Sequence, residues 1–144
     1  MEIKNRQAYF EYFIDDKLTA GIALLGTEVK SIRAGKGSFA DAYCIFQNGE
    51  LWLKAMNIAI YSHGTVNNHD PVRDRKLLLT KRELKKWDTK IKEKGYTIVP
   101  LKLFFNENNM AKVEIGLAKG KKLHDKRESI KQKDTEREMK RFLK

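Results

Sequence analysis

The segment from Ala111 to Ala118 limits the possible folds of this chain more than any other. Ala111, Val113, Ile115 and Leu117 fall on one face of a strand, and Lys112, Glu114, Gly116 and Ala118 fall on the other. A period of two with one apolar face requires a sheet that covers a core on one side. Tyr96 to Phe105 precedes it across Asn106-Glu107-Asn108-Asn109, which predicts a hairpin. Pro100 predicts an edge or bulge position within that strand, because proline has no N–H to give a ladder. Phe39 to Phe46 and Leu51 to Ile60 meet through Asn48-Gly49, a strong two-residue hairpin signal. A third pair, Ala8 to Ile14 and Ala20 to Leu25, is separated by Asp15-Asp16-Lys17, which suits another hairpin connection. Six antiparallel strands with few helices predict a mainly β chain closed into a small barrel.

Two helices interrupt these strands. Thr27 can cap Glu28 to Arg33, with Ala34-Gly35 ending it. Thr80 and Glu83 form a capping box, Leu84, Trp87 and Ile91 make an apolar stripe, and Gly95 sits at the C′ position. The stripe is narrow and ten of the fourteen residues from Lys81 to Lys94 are charged, so this helix is expected on the outside of the barrel.

Charge narrows the function classes. Thirty Lys and Arg against nineteen Asp and Glu give +11, which favours a polyanionic partner. Residues 112–144 alone carry twelve basic and six acidic side chains. From Lys126 to Lys144 the sizeable apolar residues are only Ile130, Met139, Phe142 and Leu143, too few to offset the entropy of ordering. Lys, Glu, Arg and Gln nevertheless favour helix there, so a basic C-terminal tail is expected to be disordered when free and helical when bound. The alternative is a C-terminal helix packed on the domain by Ile130 and Met139. The expected division is a domain over 1–125 and the tail over 126–144. A single cysteine excludes an intramolecular disulfide and fits a reducing compartment. No run approaches a membrane span and no apolar stretch follows Met1, so a cytoplasmic protein is expected.

Catalytic constellations are scarce. Cys44 lies mid-strand among apolar residues, as a buried thiol would. His63, His69 and Asp70 are too few for a zinc site, and Gly116 to Lys122 has the wrong spacing for a phosphate loop. No metal and no cofactor is therefore expected, and no enzymatic activity. The basic clusters are better candidates. Arg73, Arg75 and Lys76 form one; Lys119, Lys121 and Lys122 form another, followed by Lys126-Arg127. Lysines act on phosphates as point charges, and arginines can bind them bidentately or stack on bases.

A family resemblance emerges from these motifs taken in order. Asn5-Arg-Gln-Ala8, then Ala20-Gly-Ile22 leading into Gly26-Thr-Glu-Val-Lys-Ser-Ile-Arg33, then Asp70-Pro to Arg75-Lys-Leu-Leu-Leu79, then Ala118-Lys-Gly-Lys-Lys122 and Asp125-Lys-Arg127 stand at the spacing of one family. The chain resembles the SmpB family, the SsrA-binding proteins of bacterial trans-translation, from Asn5 to Arg127. The resemblance implies an OB-like closed antiparallel six-stranded barrel that binds the tRNA-like domain of transfer-messenger RNA (tmRNA). It implies work on ribosomes stalled on truncated messages, with elongation factor Tu in the delivery complex.

Carried onto this chain, the resemblance places tmRNA contacts at Asn5, Arg6, Thr19, Leu79, Lys112, Lys119, Lys121 and Lys122. It places His124, Asp125, Lys126 and Arg127 at the small-subunit decoding centre. Lys131, Lys133, Arg137, Lys140 and Arg141 would line the tail's path through the empty message channel. Thr19 stands where the family commonly has Glu, and Phe10 where a His is often found. Two rival readings remain. One is a general single-strand binder stacking bases on Tyr9 or Trp52. The other is an RNA-processing enzyme built on His63, His69 and Asp70.

Overall fold

The computed structural model describes residues 2–61 and 68–121. Along them run β1 (Glu2–Lys4), α1 (Arg6–Glu11), β2 (Tyr12–Ile22), α2 (Gly26–Arg33), β3 (Gly37–Ser38), β4 (Tyr43–Gln47), β5 (Glu50–Lys54), β6 (Asn57–Ile58), β7 (Arg75–Leu78), α3 (Lys81–Lys94), β8 (Thr97–Phe105) and β9 (Ala111–Gly120). The strand order is β1-β8-β4-β5-β7-β2-β9, and β9 also pairs with β8. That pairing closes β8, β4, β5, β7, β2 and β9 into a ring of six antiparallel strands, as expected. β1 shares one edge of β8 with β4: it takes Lys102 to Phe104, and β4 takes Ile98.

The hairpin signals hold because their turn residues can adopt the backbone required. Asn48 and Gly49 both have positive φ, 53° and 78°, the conformation that a tight β4–β5 turn needs. Asn106 holds the β8–β9 turn, its side-chain oxygen accepting from the N–H groups of Asn108 and Met110. Pro100 sits at an irregularity in β8: Pro100 faces Ile115 while Lys102 faces Glu114, leaving Leu101 as the extra residue. Along β9 the predicted face of Val113, Ile115 and Leu117 is buried in the main core.

Gly116 and Ala118, on the other face of β9, are buried as well. The reason is α1, which corrects the expected strand from Ala8 to Ile14. Residues Arg6 to Glu11 form a short helix whose Ala8 packs with Val99, Leu101 and Ala118 in a second cluster. Aromatic residues on both faces of that stretch reflect a helix covering the outside of the ring, not a strand. Nor does the chain turn at Asp15-Asp16-Lys17. β2 passes straight through, and a bulge between Ile14 and Asp16 absorbs the polar run. The space beneath α1 is tight: a side chain at Gly116 would place its Cβ 3.0 Å from both Ile14 and Leu101.

Other boundaries shift for local reasons. The strand expected from Leu51 to Ile60 breaks at Ala55, which has φ 62°, and β6 pairs instead with β3 in a separate two-stranded sheet. The strand expected from Phe39 begins only at Tyr43, and the one expected to reach Leu25 ends at Ile22. α2 starts at Gly26 after Leu25, so Thr27 lies inside the helix and does not cap it. The end is as read: Ala34 closes α2 and Gly35 takes a positive φ.

α3 matches its prediction at both ends. Thr80 Oγ1 accepts from the Glu83 N–H at 3.1 Å, the Glu83 carboxylate accepts from the Thr80 N–H at 3.0 Å, and Gly95 closes the helix in the left-handed region. Trp87 is 1% exposed in the main cluster, with Leu84 and Ile91 packed against it. Its indole N–H finds no acceptor among the described residues, so the contacts that hold the ring there are apolar. The rest of α3 lies outside, as its charge required.

Candidate nucleic-acid interface

The basic cluster at Arg73, Arg75 and Lys76 is spent on the fold. Glu28 is completely buried, and its carboxylate accepts from Arg73 Nη2 at 2.7 Å and Nε at 2.9 Å, and from Arg75 Nε at 2.8 Å. It also accepts from the Leu25 N–H at 2.8 Å, which completes the first turn of α2. Arg75, likewise buried, gives its remaining donors to the carbonyls of Met56 and Pro71. Burial pushes the Glu28 carboxyl up, but the bonds from Arg73, Leu25 and Arg75 hold it below its ordinary value. Burial lowers Arg75, against the pull of Glu28. Lys76, the third cation, pairs with Glu50 at 2.5 Å. Arg73 and Arg75 therefore clamp α2 to β7 and the segment before it, and their reading as phosphate ligands is corrected.

His69 is also structural. It is 5% exposed, its Nε2 donates to the Ile58 carbonyl at 2.8 Å, and its Nδ1 meets the Thr27 hydroxyl at 2.8 Å. Both ring nitrogens are thus occupied. Among the described residues no group of three His, Cys, Asp or Glu could hold a metal. Cys44 is buried, and burial drives its thiol well above the ordinary value. His63 lies outside the described residues.

One area of free charge is the outward face of β2, β9 and β8. Register sets the rows: Thr19 opposes Glu114, which opposes Lys102, which opposes Lys4. In the next row Gly21 opposes Lys112, which opposes Phe104. Thr19 and Lys112 are therefore adjacent on one surface. Across Gly21, with no Cβ between them, comes Leu78, 51% exposed. Leu79 instead turns inward against the main core. Leu79, the residue expected at this surface, is half-buried, and its neighbour Leu78 is the exposed one.

At the α1 end of this face, Arg6 is exposed and borders a shallow cleft with Lys4, Lys17 and Lys102. Asn5 borders the same cleft, but its amide donates to the Pro100 carbonyl at 2.7 Å and its N–H to the Leu101 carbonyl at 2.8 Å. Asn5 thus fastens the start of α1 to the bulge in β8. Lys119 lies 4.8 Å over the Tyr96 ring, whose hydroxyl donates to Asp15. Lys121 anchors where β9 leaves the ring: its N–H donates to the Glu11 carbonyl at 2.9 Å and its ammonium to the Tyr9 carbonyl at 3.0 Å.

Aromatic residues interleave with these cations. Phe10 and Phe13 are 70% and 58% exposed, and Tyr9 nearly half, so Phe10 is not a core residue. Lys17 lies over Tyr9 at 5.6 Å and Lys121 over Phe13 at 5.1 Å. Arg6, Lys17, Lys112, Lys119 and Lys121 have no ion-pair partner among the described residues. Flat rings beside unpaired cations can stack on bases while the cations meet phosphates. Of the two roles open to Phe10, stacking or core, exposure favours the first; Phe13 was not singled out from the sequence, where the signal was a run aromatic on both faces. Lys122, His124, Asp125, Lys126, Arg127, Lys131, Lys133, Arg137, Lys140 and Arg141 lie outside the described residues, as does the expected tail with its boundary at 125.

Known proteins share this chain from end to end. A family model described as SmpB protein matches residues 2–144. An SsrA-binding protein of Cytophaga hutchinsonii is 60% identical over 142 residues, which is 99% of this chain and 93% of that protein. One from Parabacteroides distasonis is 54% identical over 144 residues, covering 100% of this chain and 94% of its own. A solved structure from a study described as "tmRNA-SmpB: a journey to the center of the bacterial ribosome" superposes with a TM-score of 0.70 at 51% identity, covering 85% of each chain.

Proposed function

The chain belongs to the SmpB family, and from that premise we propose that it works as the RNA-binding adaptor of ribosome rescue. It binds tmRNA and acts on the bacterial ribosome during trans-translation. The observation that carries this reading to particular atoms is the outward face of β2, β9 and β8, where unpaired Lys112 and Arg6 share a surface with Thr19 and exposed aromatics. On this reading Arg6, Thr19, Lys112 and Lys119 meet the tRNA-like domain, with Leu78 or Leu79 supplying apolar contact at the edge. Asn5 and Lys121 support that face by fixing α1. A folded RNA is favoured over a single strand because the cations are spread over several strands and do not track one groove.

The remaining assignments belong to the same proposal. His124, Asp125, Lys126 and Arg127 act at the decoding centre, and the segment beyond them occupies the vacant message channel. Elongation factor Tu takes part in delivery, and the work is done in the cytoplasm without covalent chemistry by this chain. No helix among the described residues is long and apolar enough to cross a membrane.

A salt-varied titration with a tRNA-like-domain transcript, competed by elongator tRNA and by unstructured RNA of equal length, tests the central reading. Tight binding that survives both competitors is expected. Equal loss to any RNA, with a steep salt slope, would mean a generic basic surface. Truncation after Leu123 is expected to spare that binding and to abolish peptide tagging on stalled ribosomes. Loss of RNA affinity on truncation would overturn the division into two surfaces.

A further inference from the structure

α3 carries more positive charge than its place in the fold requires. Seven of its fourteen residues are basic and three are acidic. Arg82, Lys86, Lys90 and Lys94 follow one another at i, i+4 spacing, about 6 Å of rise per step. Like charges at that spacing repel and weaken a helix, whereas a Glu in the series would stabilise it. Among the described residues the single ion pair on α3 is Lys92 with Asp88, and Arg82, Lys86, Lys90 and Lys94 have none. A shallow trough on the outer side of the helix is bordered by Arg82, Lys85, Lys86, Lys90 and Lys94, with Glu93 the one acid.

The trough lies apart from the interface described above. Leu84, Trp87 and Ile91 turn into the main cluster inside the ring, so the cations opposite them point away from the ring interior. Lys112 and Thr19, by contrast, stand on the outward face of the strands. Among the described residues no hydrogen bond or ion pair joins α3 to that face; those of α3 are its N-terminal capping box, its backbone bonds and Lys92–Asp88. Tyr96, one residue after Gly95, comes near the strand face, its ring lying under Lys119.

We propose that the Arg82–Lys86–Lys90–Lys94 ridge of α3 is a second RNA-binding surface, which takes the phosphate backbone of ribosomal RNA while the strand face holds tmRNA. This rests on the reading of the chain as a ribosome-rescue adaptor. A row of unpaired cations on one rigid helix suits successive phosphates of a strand, and reads charge and shape without base sequence. An RNA partner is favoured over an acidic protein because the trough offers long cationic side chains and no exposed apolar anchor of the kind protein interfaces use.

The test uses the full-length protein with Lys86→Glu, and separately with Arg82→Gln/Lys90→Gln. Each is titrated against three partners: a tRNA-like-domain transcript, ribosomes carrying a truncated message with tmRNA bound, and protein-free ribosomal RNA. Transcript binding is expected to stay within about twofold of the parent, while binding to ribosomes and to ribosomal RNA falls about tenfold. The salt slope for ribosomal RNA should fall by about 1.5 to 2 in the double variant. Thermal melting of Lys86→Glu should be unchanged or raised, because two repulsive neighbours become attractive. Equal loss of transcript binding would overturn the proposal by making the ridge part of the tmRNA surface. Unchanged binding everywhere would make it solvated charge, and loss on ribosomes with ribosomal RNA unaffected would assign it to a protein. Failure of the parent protein to prefer the tRNA-like transcript would count against the adaptor reading and not against the ridge.

Discussion

Two basic segments of this protein look alike in the sequence and do opposite work. Arg73, Arg75 and Lys76 lie in a short stretch with one acid, Asp74, among them, and Lys112, Lys119 and Lys121 lie in another with one acid, Glu114. In the first, the arginines converge on a buried carboxylate, and Arg75 has no exposure at all. In the second, Lys112 stands on the outward face and Lys119 is exposed near the end of β9, neither with an ionic partner among the described residues. The difference is where the countercharge lies. Glu28 comes from a helix 45 positions earlier in the chain than Arg73, and only the closure of the ring brings the two together. A run of cations is a binding surface only when the fold has not already supplied it with an acid.

Removing that acid should produce the largest effect. Glu28→Ala leaves two guanidinium groups without their partner, one of them buried, and is expected to destabilise the domain by about 3–5 kcal/mol in chemical denaturation. RNA affinity, measured at a temperature where the variant is still folded, should be close to the parent's. A large loss of affinity without a loss of stability would show that Arg73 reaches RNA after all.

Acid should attack the same place. Glu28 titrates below its ordinary value in the folded protein, so its contribution is fully present above the unfolded carboxylate value of about 4.3 and is lost as pH falls through the folded value. Denaturation midpoints from pH 7 to pH 3 are expected to drop below about pH 4.3 in the parent. The drop should be shallower in Glu28→Gln, which is weaker at neutral pH but lacks the titrating group.

The opposite pattern is expected on the strand face. Lys112→Ala should change stability by no more than about 0.5 kcal/mol, weaken binding to the tRNA-like domain severalfold, and reduce the salt slope by about 1. An unchanged titration would remove Lys112 from the interface. The smallest effect should come from Glu50→Gln. Lys76 and Glu50 are both about two-fifths exposed, so losing their pair should cost about 0–1 kcal/mol, less at high salt. A larger loss would mean that the whole of the first segment, Lys76 included, belongs to the clamp.

The sequence by itself determined the elements whose cause is local. The α3 caps, the Asn48-Gly49 turn, the bulge at Pro100 and the inward face of β9 each depend on residues within a few positions of one another, and each appears as read. The number of strands in the ring agrees with the count from hairpins, but one member does not: the third expected hairpin is the single strand β2, and β7, read in the sequence as part of a basic loop, supplies the sixth. Family membership was equally legible, since ordered motifs need no coordinates. The aromatic run of α1 was not, because the buried partners of Ala8 are Val99, Leu101 and Ala118, from strands about ninety residues or more away. The same holds for the polar run that β2 carries across its bulge, where pairing with β9 outweighs a local preference for a turn. Tertiary structure alone decided which cations are free: whether a guanidinium meets a carboxylate or solvent depends on long-range closure of the ring, and charge in a sequence has no address until the chain has folded.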